Sequence, residues 1–449
     1  MSQIKDLTTG AITGVIIRLA SPLIAASFVQ MAYTMTDMLW LGHLGSEHVA
    51  AVGAAFFLVW MSNSVSYCTK SGAEVLVSQS LGSKDTQRAI RFADHAVRLS
   101  FLLAIAYSLV ILIAAPLLLS FFDMQQSIRQ EGADYLYYII PGMIFGILNN
   151  TFSGIIYGMG NSKVPFRILI VGLIINIILD PLLIYGIGIF PELGVRGAAM
   201  ATSLSQGVVF LLFLRNLFAQ EGFLKGFKMR FRWDLDILRL IVRIGLPVTL
   251  QNALFACISM VLTAMTAQFG YIAVAVTSLG GQLEAISWMT SDGFCTALGS
   301  FTGQNYGAGL WKRIRQGYYV SFFIAGSIGL MAGLLFLFQG EFIFRLFLSE
   351  PESIALGAIF LFIEGFSQFF MVSERVSAGG FNGLGKTHIP AIIGITFNAL
   401  RIPAAWILVY TLDMGLTGIW WAISASSIFK GVLLSAWYIV LLHSNQKFK

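Results

Sequence analysis

Arg18-Leu19-Ala20-Ser21-Pro22 returns 225 positions later (243 less 18) as Arg243-Ile244-Gly245-Leu246-Pro247. The same shift carries Gln79-x2-Gly82 onto Gln304-x2-Gly307, and Tyr157-Gly158-Met159-Gly160-x4-Pro165 onto Asn382-Gly383-Leu384-Gly385-x4-Pro390. Farther on it shortens: Asn176-x4-Pro181 meets Asn398-x4-Pro403 at a shift of 222 (398 less 176), and Leu193-Gly194-Val195-Arg196-Gly197 meets Met414-Gly415-Leu416-Thr417-Gly418. Landmarks paired in one order predict two copies of one module enclosing a site between them, as in many transporters. The doubling omits two acids, because Asp37 falls opposite Leu262 and Asp180 opposite Ile402. That asymmetry places the expected chemistry in the first copy.

Composition sets the class. With 57% hydrophobic and 11% charged residues, a mean hydropathy of +0.79 and 37 Phe in 449 residues, the chain lacks the polar surface of a soluble globule. Apolar runs long enough to cross about 30 Å of hydrocarbon recur throughout, and in lipid they must be helices or a closed barrel. The reading is an all-α membrane protein of about twelve transmembrane helices, near 13–41, 50–78, 97–121, 135–158, 166–189, 196–218, 240–267, 272–300, 317–339, 355–381, 389–411 and 416–442. They group as an N-lobe over 1–218, a basic linker over 219–239 and a C-lobe over 240–449, six helices in each lobe.

Lys and Arg sort by loop parity. Even-numbered loops hold Lys84, Arg88 and Arg91, Lys163 and Arg167, Lys225, Lys228, Arg230 and Arg232, Lys312, Arg313 and Arg315, and Lys386; odd-numbered loops hold only Arg129, Arg196 and Arg345. Even loops and both termini are therefore expected in the cytoplasm. The net charge of +6 follows from this bias, so no nucleic-acid partner is read from it, and the stretch Lys225 to Arg232 is expected to meet anionic lipid head groups. An even number of spans per lobe makes the repeats parallel, related by a pseudo-two-fold axis along the membrane normal. The first apolar run is too long for a signal-peptide core and lacks a cleavage site, so it is expected to stay as the first helix.

Enzyme chemistry lacks its minimal parts. The chain has no His-Glu-x-x-His, Gly-x-Ser-x-Gly or Gly-x4-Gly-Lys-Ser/Thr, and its five histidines show no metal spacing. Cys68, Cys257 and Cys295 lie inside apolar spans and suggest no disulfide framework. With no nucleotide site, the energy source is expected to be an ion gradient.

A carboxylate near the bilayer midplane costs about 2.5–3.5 kcal/mol, so it is expected to be protonated, ion-bound or facing water. Asp37 shares a helical face with Tyr33 and, roughly, Gln30, while Asn176 and Asp180 lie four apart on another helix. Such a set suits either a proton or a Na⁺ ringed by Asp37, Asn176 and Asp180. Pro22 and Pro181 each remove a helical hydrogen bond nearby and mark points for bending. The plainer alternatives are an Asp37 at the outer water boundary, where Gly42, His43 and Gly45 follow, and an Asp180 that only bonds a neighbouring helix. Tyr135, Tyr137 and Asn150 are weaker cavity candidates, since a Tyr at a span end also serves as an interfacial anchor.

Several patches resemble the multidrug and toxic compound extrusion (MATE) transporters: Asp37-Met38-Leu39-Trp40-Leu41-Gly42-His43-Leu44-Gly45, Gln79-Ser80-Leu81-Gly82-Ser83-Lys84-Asp85, Gly158-Met159-Gly160-Asn161-Ser162-Lys163-x-Pro165, Asn176-x3-Asp180-Pro181 and Gly303-Gln304-Asn305-Tyr306-Gly307-Ala308-Gly309. The resemblance implies two six-helix bundles around a V-shaped cavity. It also implies export of organic cations or other amphiphiles in exchange for H⁺ or Na⁺, without a cofactor, from a bacterial or archaeal cytoplasmic membrane, here expected of a monomer. Gln30, Tyr33, Asp37, Tyr135, Asn150, Asn176 and Asp180 match the polar N-lobe lining of that family; Ser153 stands where some relatives place a second Asn. Some relatives carry coupling acids on the seventh and tenth spans, where this chain has Gln251 and a neutral stretch near Gln368.

Other charges also interrupt the spans. Lys70 and Glu74, four apart, are expected to neutralise each other. On the eighth span Gln282, Glu284, Trp288 and Asp292 are expected to line the cavity, Glu284 and Trp288 sharing a face suited to a drug-like cation. Glu364 and Glu374 leave a coupling role for the C-lobe open. The alternative function is a lipid or lipid-linked oligosaccharide flippase, which would need a cationic cavity from Lys70, Arg375, Arg401 and Lys430.

Overall fold

The computed structural model describes residues 4–120, 125–218, 222–225 and 233–444, and among these every regular element is helical. Lys228, Arg230 and Arg232 of the expected linker lie outside the described residues. Six helices come first: α1 (Ile12–Leu44), α2 (Ser46–Gly82), α3 (Thr86–Leu119), α4 (Gln126–Gly158), α5 (Lys163–Tyr185) and α6 (Val195–Phe218). Seven follow: α7 (Leu235–Ala267), α8 (Tyr271–Gly307), α9 (Trp311–Arg345), α10 (Pro351–Gly365), α11 (Gln368–Gly383), α12 (His388–Trp406), which runs into a π-turn over Ile407–Thr411, and α13 (Leu416–Ser444).

Ten of these helices are long and apolar enough to cross a membrane, and α10 with α11 forms an eleventh, bent pair. α8, at 37 residues, has ample length at about 1.5 Å per residue, but Gln282, Glu284, Ser291 and Asp292 dilute its apolar run. The continuous span expected over 355–381 is instead broken by 45° between Gly365 and Gln368. The cause is local: Ser367 Oγ donates to the Glu364 carbonyl (2.9 Å) and to Glu364 Oε2 (3.1 Å), giving the backbone an alternative to continuing the helix.

The chain forms two compact units, one of Met1–Asp6 with Ala25–Thr249 and the other of Leu7–Ile24 with Leu250–Lys449. The boundaries cut α1 just beyond Pro22 and α7 just beyond Pro247, the paired prolines of the repeat. Each unit thus takes the opening turns of one long helix from the other copy.

In the first unit, α4 packs against α2, α3 and α6. One core of Phe92, Phe152, Ile155, Phe213, Ile241 and Ile244 and another of Leu41, Leu119, Leu136, Ile184 and Ala198 fill it. The start of α7 joins this unit backbone against backbone, since a Cβ on Gly245 would fall 1.8 Å from the Cys68 carbonyl oxygen. In the second unit α11 packs on α8, α9 and α13, around Phe344, Phe360, Leu361, Ile419 and Trp420. The segment before α1 is strapped to this unit. Leu7 N–H donates to Gln304 Oε1 (2.9 Å), Asn305 Nδ2 to the Leu7 carbonyl (3.2 Å), and Arg313 to the carbonyls of Gly10 (3.1 Å) and Thr9 (3.2 Å).

Candidate functional site

Three helices of the first unit bring together the residues singled out by polarity in an apolar run. Asp37 on α1 meets Asp180 of α5, carboxyl to carboxyl, with the Asn176 amide against both. Asn176 Nδ2 donates to Asp180 Oδ1 at 3.1 Å, as residues four apart on one helical face can. From α6, Thr202 Oγ1 donates to Asp37 Oδ2 (3.3 Å), and the Thr202 carbonyl accepts from Tyr33 OH (3.5 Å). Asn176 and Asp180 are wholly buried and Tyr33 and Tyr135 nearly so, Tyr135 lying within the field of both carboxyls.

Asp37 Oδ1, Asn176 Oδ1 and Asp180 Oδ2 are buried with no donor among the described residues. Three orphaned oxygens on neighbouring side chains are expensive to bury unless a proton or a cation occupies the space between them. The neighbouring donors are neutral hydroxyl and amide groups, so the set favours either occupant.

The other first-copy candidates are placed elsewhere. Gln30 is exposed on α1; Tyr137 packs partly buried on the Leu136 core; Asn150 donates to Ser66 Oγ (2.9 Å) and Asn63 Oδ1 (3.3 Å), tying α4 to α2. Lys70 Nζ lies over the rings of Tyr67 (4.9 Å) and Tyr157 (6.0 Å). α1 and α5 run as helices through Pro22 and Pro181.

The second unit also buries charged groups, among them Glu364, Glu374, Arg401 and Lys430. Gln368 Nε2 on α11 donates to Glu284 Oε1 of α8 (3.0 Å), and the Glu284 carboxyl meets that of Glu364 on α10. Arg401 of α12 lies in the field of both, its Nε and terminal nitrogen donating to Ser426 Oγ (2.6 Å) and Ser427 Oγ (2.9 Å) of α13. Lys430 Nζ pairs with Glu374 Oε2 (3.2 Å) and donates to Asn398 Oδ1 (3.0 Å). Trp288 is 40% exposed and stacks under the Arg375 guanidinium (5.7 Å), which pairs with Asp292. Gln282 is exposed, and Gln251 lies against Gly394 of α12, where a Cβ would approach its Nε2 to 2.3 Å.

Glu374 and Lys430 are 7% and 6% exposed, so their pair is a buried one. Removing one partner of such a pair costs about 3–5 kcal/mol by stranding the other charge, whereas removing both is far milder. Lys430→Met is therefore expected to lower the thermal midpoint in detergent sharply, and Lys430→Met with Glu374→Gln to recover most of it. Equal losses in both variants would deny the pairing.

The MatE family matches residues 22–182 and, a second time, residues 247–407. The chain belongs to the MatE family. Both matches begin at a proline of the repeat. Relatives of this MatE-family chain include a probable multidrug resistance protein NorM of Thermotoga maritima, 28% identical over 93% of this chain and 90% of that one, and YoeA of Bacillus subtilis, also a probable multidrug resistance protein, 25% identical over 93% and 91%. Among solved structures, an outward-facing multidrug resistance MATE transporter of the MOP superfamily superposes with a TM-score of 0.89 over 99% of this chain and 98% of that chain, at 24% identity. Family and fold together make this protein an integral membrane transporter of the MATE multidrug efflux family.

Proposed function

We propose that this MATE-family transporter is a secondary active antiporter that exports amphiphilic or cationic compounds in exchange for H⁺ or Na⁺ by alternating access. The observation behind the reading is the Asp37–Asn176–Asp180 cluster, with its three buried oxygens open to a small cation. In this reading the exchanged ion neutralises the carboxyl pair, and its different affinity for the two states of the transporter supplies the coupling. The lobes act as 1–218 and 240–449 joined by 219–239, with both termini in the cytoplasm of a bacterial or archaeal cell and Pro22 and Pro181 as bending points. Tyr33, Tyr135 and Thr202 orient the carboxyls, while Gln30, Tyr137, Asn150, Gln251, Gln282, Glu284, Trp288 and Asp292 are candidates for substrate contact. The flippase alternative draws little support, because Arg375 and Lys430 already pair with carboxylates and Arg401 lies in the field of two more.

Efflux of an ethidium-type dye from vesicles holding the purified protein tests the proposal. An inward H⁺ or Na⁺ gradient is expected to drive efflux, and the matching ionophore to stop it. Efflux indifferent to both gradients would overturn the reading.

A further inference from the structure

Where α7 begins, one buried histidine holds it to α3. The backbone N–H of Asp234, the residue just before α7, donates to His95 Nε2 at 3.2 Å, so that nitrogen carries no proton. The ring's one hydrogen then sits on Nδ1 and is donated to the Arg91 carbonyl at 2.8 Å. Both bonds exist together only in the neutral ring and in that one tautomer. Asp234 is itself built into the joint. Its Oδ1 accepts from the backbone N–H groups of Asp236 (3.1 Å) and Ile237 (3.4 Å), opening α7, and its Oδ2 takes the Arg91 guanidinium at 2.8 Å. Beneath the joint Ile237 and Ile241 pack with Phe92 and Ala96.

We propose that His95 is a proton-operated latch: neutral, it fastens the start of α7 to α3, and protonated, it lets that start go. A proton on Nε2 turns the acceptor of the Asp234 N–H into a second donor, and two donors cannot bond each other. The charged ring has somewhere to turn, because Asp94 Oδ2 lies 3.8 Å from Nδ1, itself held by Arg98 at 2.5 Å. On the α7 side the charged groups are Asp234 and, on the first turn, Asp236 and Arg239, 3.7 Å apart. Of the other helices packed on α3, α2 carries Lys70 and Glu74 in its latter half and α4 carries Tyr157, over whose ring Lys70 Nζ lies at 6.0 Å. A cavity of about 330 Å³ lined by Arg88, Arg91, Phe92, Asp234 and Ile237 brings solvent to the edge of the joint. The closed latch binds one proton fewer than the open one, so it tightens as pH rises and loosens as pH falls. The start of α7 belongs to the first unit and the helix beyond Thr249 to the second, so the latch governs the helix the two units share, on the side that the Lys and Arg bias assigns to the cytoplasm. It stands apart from the exchange proposed at Asp37 and Asp180.

Amide hydrogen exchange of the purified full chain, read by mass spectrometry and corrected for the pH dependence of the chemical step, tests the latch. From about pH 8 down to about pH 5, where histidine changes charge, the amides of Asp234, Asp236 and Ile237 are expected to lose protection. The loss should approach about tenfold per pH unit, the slope of a single proton. His95→Gln offers an amide oxygen to the Asp234 N–H and gains no proton, so it should keep these amides protected over the whole range. His95→Ala should leave them unprotected throughout, and if that variant fails to fold, His95→Gln against the wild type decides the point. Protection that stays flat with pH in the wild type would overturn the proposal. So would a loss that persists in His95→Gln, because it would belong to the carboxyl of Asp94 or Asp234 instead.

Discussion

Asp180→Asn is expected to insert and fold as the parent does and to lose gradient-driven efflux. The substitution keeps the shape of a side chain that is wholly buried and still lets Asn176 find an acceptor. It removes the one property the exchange needs, a charge that appears and disappears. It also separates two carboxyls that now touch, so folding stability should hold or rise rather than fall. Coupling free energies of about 1–3 kcal/mol correspond to about 5- to 150-fold in affinity, and the loss of gradient-dependent dye efflux should lie in that range or beyond. Asp37→Asn is expected to behave alike, with Thr202 still able to donate to the amide oxygen. Efflux and thermal midpoint measured on the same preparations separate the outcomes. A well-folded variant with full gradient-dependent efflux would strip that residue of its role, and a collapse of the midpoint would make it structural.

Gly245→Val is the second large effect. A Cβ at this position would lie 1.8 Å from the Cys68 carbonyl oxygen, 2.5 Å from its carbon and 2.6 Å from its Cα, and a helix backbone cannot swing away as a side-chain tip can. α7 would have to move off α2, taking Ile241 and Ile244 out of the core they share with Phe92 and Phe152. One inserted methylene in a packed core typically costs about 1–3 kcal/mol, and a rigid backbone partner places this case at or above the upper end. Gly281→Ala, with nothing within 4 Å of its added carbon, serves as the control and should be silent. Valine at 245 with an unchanged thermal midpoint in detergent would refute the close approach.

The fold was legible because lipid imposes a simple grammar: long apolar runs must be helices, cations favour one side, and a doubled module repeats its prolines and glycines. Asp37, Asn176 and Asp180 were legible for the same reason, as polar groups that interrupt apolar runs with a spacing that gives two of them one face. Thr202 gave no signal, since a threonine within a span is common and only the packing of α6 brings its hydroxyl to Asp37. Glu284 and Glu364 each stood out alone, but they are 80 positions apart (364 less 284), and their meeting depends on how α8, α10 and α11 pack. The four-residue spacing from Glu284 to Trp288 gave no sign that Arg375 would arrive from another helix to lie over the indole. The break at Phe366-Ser367 was hidden for a related reason: hydropathy does not register a hydroxyl that folds back on its own chain.

The tether from Leu7 to Gln304 joins residues 297 apart in sequence, and Arg313 lies farther on still. At a synthesis speed of about 5–20 residues per second, the leading segment waits on the order of 15–60 s before the groups that hold it have emerged from the ribosome. The opening helix is thus laid into the bilayer early and fastened late, its leading segment held only once the groups that grip it have been made.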